Sequence, residues 1–253
     1  MTAALAFEAV SFTYPDGTVA LQGIDLSLQA GQRVALLGPN GAGKSTLMLH
    51  ANGILVANSG RVRVGATLLG PENLAAVRAR VGLVFQDPDD QLFMTSLAED
   101  VAFGPRNMGL PPAEVQLRVD AALEAVGLAG LGARPGPDLS FGQKKRAALA
   151  TVLDMAPEVL ILDEPTSNLD PRARRAMRSL LAGLEATLLV ATHDMDLAWD
   201  LCPRTVILDQ GRVVADGPTQ DLLRDRVLLE RHGLEPPAAV RYGPPSGREP
   251  GAP

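Results

Sequence analysis

Apolar and polar positions change their spacing several times along this chain, and each change marks an element. Leu5–Phe12 and Val19–Leu28 read as strands on either side of Tyr14-Pro-Asp-Gly17. In that turn proline presets φ and glycine supplies the positive φ. Arg33–Leu37 is a short apolar run bounded by glycines, the mark of a buried strand. A helix is expected from Gly43 to about Ala51, stopped by Asn52-Gly53. Val81–Phe85, Val159–Leu162 and Leu188–Thr192 are further short apolar strands. Helical spacing appears at Ala147–Met155, Arg172–Leu184 and Met195–Leu201, and Val206–Asp209 with Arg212–Ala215 reads as a hairpin around Gln210-Gly211. Strands alternating with helices predict an α/β fold with a mostly parallel, helix-covered sheet, joined to an N-terminal antiparallel β-subdomain.

Residues 89–137 break this alternation. They carry helical periodicity at Glu114–Val126, loop signals at Gly109-Leu-Pro-Pro112 and no apparent strand. They predict an inserted α-helical subdomain, over about 89–155. The stretch Glu235–Pro253 is rich in Pro, Gly and Ala and predicts an unstructured tail after a domain covering 1–234.

Composition narrows the classes. Apolar residues are 46% of 253, enough for a substantial core. The net charge of −6, with both signs scattered, argues against a nucleic-acid binder held by a basic surface. One cysteine, Cys202, excludes a disulfide framework, and His50, His193 and His232 show no metal-ligand spacing. No apolar stretch approaches the ~18–20 residues that cross a bilayer. The first twelve residues lack a basic segment and include Glu8, unlike a secretory signal. The chain is expected to be soluble, reaching any membrane through a partner.

Three runs carry chemistry. Gly38-Pro39-Asn40-Gly41-Ala42-Gly43-Lys44-Ser45, followed by Thr46, lies between a strand and a helix. Its glycines let backbone N–H groups curl around phosphates, and the helix N-terminus adds partial positive charge. Lys44 can reach β- and γ-phosphates, and Ser45 can ligate Mg²⁺. The bland alternative is a glycine-rich turn that opens a helix, but the full pattern in this context favours ATP. Val159–Leu162 leads into Asp163-Glu164-Pro165, an acid pair at a strand end. There Asp163 can hold Mg²⁺ and Glu164 can polarise a water. Pro165 predicts extended backbone at Glu164. Finally, Ser140-Phe141-Gly142-Gln143 fits a capping box, with Ser140 as N-cap and Gln143 at the third helical position. A well-capped N-terminus is also an anion site.

Together these runs resemble the ATP-binding subunit of an ABC transporter, over roughly Phe7 to Thr219. The resemblance implies a P-loop core that binds ATP and Mg²⁺ and pairs with a second ATPase subunit, a copy or a paralogue. Leu139–Gln143 matches the signature that covers the γ-phosphate held by the opposite protomer. Phe141 departs from the family's glycine, while Ser140 and Gly142 match. By the same resemblance Tyr14 stacks on adenine and Gln86 senses Mg²⁺ and meets the membrane partner. Asp170 belongs to the loop crossing the dimer interface, and His193 contacts the γ-phosphate. Glu164, His193 and Gln86 are thus the catalytic set, and Ser45, Gln86 and Asp163 the Mg²⁺ set.

Val81–Phe93, Glu99–Pro105 and Gln143–Arg146 further resemble energy-coupling-factor importers. In these a transmembrane coupling protein carries the ATPases and a separate membrane protein binds the cargo. Asp89, Asp90 and Gln91 would border the groove for the coupling protein. Leu229–Glu235 is similar to the cobalt and nickel members; biotin or another vitamin stays open as cargo. The cargo metal is not expected to bind here, since the histidines form no cluster. The implied location is the cytoplasmic face of the cell membrane. A soluble ABC ATPase usually has two such domains or a long coiled coil, neither found here, and a P-loop kinase would lack the signature and His193.

Overall fold

A computed structural model describes residues 3–243. The chain opens with strands β1 (Leu5–Thr13), β2 (Val19–Leu28) and β3 (Arg33–Leu37), then helix α1 (Lys44–Ala51). Next come β4 (Ser59–Val64), β5 (Thr67–Leu68), α2 (Leu74–Arg80) and β6 (Val81–Val84). The helical region holds α3 (Leu97–Asn107), α4 (Pro112–Ala125) and α5 (Phe141–Leu153). The core then resumes with β7 (Val159–Asp163), α6 (Pro171–Ala182), β8 (Thr187–Ala191) and α7 (Met195–Leu201). It ends in the hairpin β9 (Arg204–Asp209) and β10 (Arg212–Pro218), followed by α8 (Thr219–Leu222), α9 (Arg226–Arg231) and α10 (Ala238–Tyr242).

The strands form two sheets. One is antiparallel in the order β2-β1-β4-β5. The other runs β10-β9-β3-β8-β7-β6, parallel throughout except for the β9–β10 hairpin. Its central strands are covered on both faces, which is why they are unbroken apolar runs. Side chains alternate between the faces. Leu37, Leu160, Leu162 and Val190 join the core under the helices. Leu36, Ile161, Leu189 and Val206 join Phe7 and Leu28 between the sheets. Burying each such side chain stabilises the fold by about 1.5–3 kcal/mol.

The α/β architecture follows the sequence expectation, with four differences. β6 ends at Val84 because the Phe85 N–H donates to the Gln91 side chain (3.3 Å) rather than to a strand. α3 forms although Gly104-Pro105 lies within it; Ser96 caps it by accepting from the Glu99 N–H. A Cβ on Gly104 would sit 2.7 Å from Met155, so the glycine lets α3 approach the turn that follows α5. β4 and α2 are elements that the apolar pattern did not announce. Lastly, the segment from Glu235 is not structureless as expected: α10 docks on α7, with the Ala238 N–H donating to Asp196 (2.8 Å). The rest of that expected tail, 244–253, lies outside the described residues. Among the described residues no helix is long and apolar enough to cross a membrane.

Candidate functional site

The site sits at the C-terminal ends of β3, β6 and β7, where parallel sheets present their loops. β3 runs into the loop Gly38–Gly43, and α1 begins at Lys44. The loop is forced against β9 and β2. A Cβ on Gly38 would lie 2.0 Å from the Leu208 carbonyl oxygen, and one on Gly43 2.6 Å from that of Ala20. Both glycines also have positive φ, 150° and 102°. Lys44 Nζ donates to the carbonyls of Gly38 (2.6 Å) and Pro39 (3.0 Å). Burial holds its pKa below the usual lysine range, while Glu164 and Asp163 pull it upward.

A pocket of about 310 Å³ joins Asn40–Thr46 to Tyr14, Gln86, Asp163 and Glu164. The loop and four separately predicted side chains thus line one cavity. Tyr14 stands at the wall: its hydroxyl lies 3.0 Å from Thr46 Oγ1 and its ring meets Phe12 edge-on at 4.9 Å. Ser45 Oγ donates to Asp163 Oδ2 (3.0 Å). Burial pushes the Asp163 carboxyl up, against the Ser45 hydrogen bond. A hydroxyl, a desolvated carboxylate and the nearby Gln86 amide are hard oxygen donors, and they fit Mg²⁺. Among the described residues no three His, Cys, Asp or Glu gather as a transition-metal site.

Glu164 departs from expectation. Its φ is 47°, left-handed rather than the extended backbone that Pro165 predicts. Such backbone costs on the order of 1–3 kcal/mol and must be held by its surroundings. Its N–H donates to the Ala191 carbonyl (2.9 Å), and its own carbonyl accepts from Lys145 Nζ (2.7 Å) and Ser167 Oγ (2.8 Å). Its Oε2 lies 3.2 Å from Thr192 Oγ1 and 2.8 Å from His193 Nδ1. His193 therefore meets the acid directly, a pairing the sequence did not announce.

The signature lies elsewhere. Ser140 Oγ accepts from the Gln143 N–H (3.3 Å), and Gln143 Oε1 accepts from the Ser140 N–H (2.8 Å), completing the capping box of α5. None of Ser140, Phe141, Gly142 and Gln143 lines the phosphate pocket. Ser140 and Phe141 are exposed, and Gly142 packs on α6, where an added Cβ would sit 3.0 Å from Ala173. Asp170 caps α6, accepting from the N–H groups of Arg172 and Ala173 (both 2.8 Å); these bonds hold its carboxyl below the usual range.

The loop after β6 is pinned to α5. Asp89 pairs with Lys144 (2.7 Å) instead of standing free for a partner. Gln91 donates to the Ala148 carbonyl (2.9 Å) and Thr151 Oγ1 (2.6 Å). Asp90 and Gln91 reach the wall of a groove of about 890 Å³ that also presents Phe93, Phe103 and Met108. Sequence reasoning missed Lys145, which is 1% exposed and whose pKa burial lowers to about 8 despite the nearby Glu164, Asp163 and Asp87. The available signal was a lysine on the apolar stripe Ala148-Leu149-Val152 of its helix.

Known proteins match this arrangement. The family profile described as "ABC transporter" covers residues 21–167. An ABC transporter ATP-binding protein of Streptomyces avermitilis, named without a cargo, is 54% identical over 90% of this chain and 87% of its own. An energy-coupling factor transporter ATP-binding protein of Carboxydothermus hydrogenoformans is 46% identical over 95% of this chain and 90% of its own. A cobalt import ATP-binding protein of Rhodobacter capsulatus is 47% identical over 95% and 88%. Among solved structures, CbiO1 of Clostridium perfringens, described as part of an ABC transporter complex, superposes with a TM-score of 0.80. It is 40% identical, over 91% of this chain and 94% of that one.

Proposed function

This chain belongs to the ABC transporter family and is an ATP-hydrolysing transporter subunit, and we propose that it powers import of a transition-metal ion, cobalt or nickel. It is proposed to do so from the cytoplasmic face of the membrane, as a peripheral pair of ATPases. In this reading Tyr14 stacks on adenine, and the loop Gly38–Thr46 with Lys44 holds the phosphates. Ser45, Asp163 and Gln86 hold Mg²⁺, which neutralises phosphate charge when bound. Glu164 takes a proton from the attacking water while His193 keeps its carboxylate oriented. Ser140 and Gly142 from the second subunit cover the γ-phosphate, and Asp170 lies along the join. The groove at Asp90 and Phe93 receives a transmembrane coupling protein, and a separate membrane protein binds the cargo.

The observation that carries the two-chain site is the distance in role between its halves. Tyr14, Asn40–Thr46, Gln86, Asp163 and Glu164 line one pocket, while none of Ser140–Gln143 lines it and Ser140 and Phe141 are exposed. Glu164→Gln tests the chemistry: ATP stays bound and turnover falls by about 100-fold or more. Near-normal hydrolysis by that variant removes Glu164 from the role of base. The cargo is tested by co-purifying the membrane partners and measuring cobalt, nickel and biotin uptake. A partner that binds biotin and not the metals overturns the metal assignment.

A further inference from the structure

The buried amine of Lys145 lies where three functional segments meet. It projects from α5, five residues beyond the N-cap Ser140, and is 1% exposed. Its Nζ donates to the Glu164 carbonyl (2.7 Å) and lies 3.3 Å from Ser167 Oγ, in the loop that leads to Asp170. Ser167 Oγ donates to the same carbonyl (2.8 Å). One turn earlier on α5, the Phe141 ring lies 5.9 Å from Nζ and screens it. Thus the residue that departs from the family signature stands over this ammonium. Desolvating a lysine is costly unless its bonds replace water. Here they fasten the carbonyl of a residue held at φ 47°. If that peptide turned, Oε2 would swing away from Thr192 and His193.

We propose that Lys145 is a positioning residue: it clamps the main chain of Glu164 and ties each chain's signature helix to its own hydrolytic carboxylate. The proposal rests on Glu164 being the base. It links the two halves of the assembly, because the helix that serves the other subunit's ATP also braces this subunit's acid. Engagement of Ser140 in one composite site is thereby felt at Glu164 of the other.

The test is ATP hydrolysis by the full-length chain, with nucleotide binding measured separately. In Lys145→Met, kcat falls about 10- to 100-fold through misplacement of the carboxylate. KM and nucleotide affinity stay within about twofold, because no ground-state contact to ATP is lost. Lys145→Arg, which keeps charged donors, recovers at least part of the kcat loss. Ser167→Ala removes the hydroxyl donor with minimal change of volume, leaves the Ser167 N–H on the carbonyl (3.2 Å), and lowers kcat about two- to threefold. Joined to Lys145→Met it adds little, since both act on one carbonyl. Should Lys145→Met not fold, Ser167→Ala still decides, and unchanged kcat there overturns the clamp. Lys145→Met turning over as fast as the parent, while Glu164→Gln does not, also overturns it. So does a rise in KM that accounts for the whole loss of kcat/KM. Normal turnover in Glu164→Gln defeats the base assignment instead, and the two failures are distinct.

Discussion

The pocket beside Gly38–Thr46 and the N-terminus of α5 are both proposed to meet anions, and their groups are partnered to different degrees. In the pocket, every ionisable group already has a partner from its own chain. Lys44 bonds the loop carbonyls, Ser45 bonds Asp163, and Glu164 meets His193. At α5 the Ser140 hydroxyl, among the described residues, meets only the Gln143 N–H of its own capping box, and Ser140 and Phe141 are exposed. A concave, self-bonded site works by exchanging internal bonds for ligand bonds. An exposed, merely capped helix end becomes a site only when something is brought to it.

Substitutions separate the two regions. Lys44→Ala has the largest expected effect: it removes the cation proposed to hold the phosphates, and ATP binding and hydrolysis should both fall by about 100-fold or more. Persistent tight binding would show that the backbone cradle alone suffices. Ser140→Arg should lower hydrolysis by a similar factor while leaving single-chain ATP affinity within about threefold. Loss of that affinity would reduce the signature to a structural cap.

The smallest effect concerns neither region but the far end of the helix joining them. Asp154, at the C-cap of α5, is buried with neither carboxyl oxygen bonded. Burial pushes its pKa from 3.8 to about 8. Between those values the folded chain keeps a proton that the unfolded chain releases, so stability falls as pH rises through that window. Asp154→Ala should flatten the slope and stabilise the chain at pH 8 by on the order of 1–3 kcal/mol. Thermal unfolding at pH 5.5, 7 and 8.5 checks this; an unaltered slope would place the titration elsewhere.

The same contrast explains what could be read in the sequence. The phosphate loop is local: nine consecutive residues between a strand and a helix state their own geometry. The capping box is local too. What escaped depends on pairs far apart in the chain. The left-handed Glu164 answers to Ala191 and Lys145, which outweigh the local preference set by Pro165. Asp89 looked free until Lys144 came against it. α3 was obscured by Gly104-Pro105, since only its packing on Met155 explains that glycine. β4 has just two inward apolar residues, Val62 and Val64, too few to announce a strand without β1 beside it. α10 is a helix of five residues, too short to announce itself, and its first N–H is anchored on Asp196 of α7.

The central claim is that two chains complete one ATP site. The direct test is the solution mass of Glu164→Gln with and without ATP and Mg²⁺, measured alone and combined with Ser140→Arg. The mass should double with ATP in the single variant and stay that of one chain in the double variant. A single-chain mass in both with ATP bound, or doubling that ignores Ser140→Arg, would contradict the composite site.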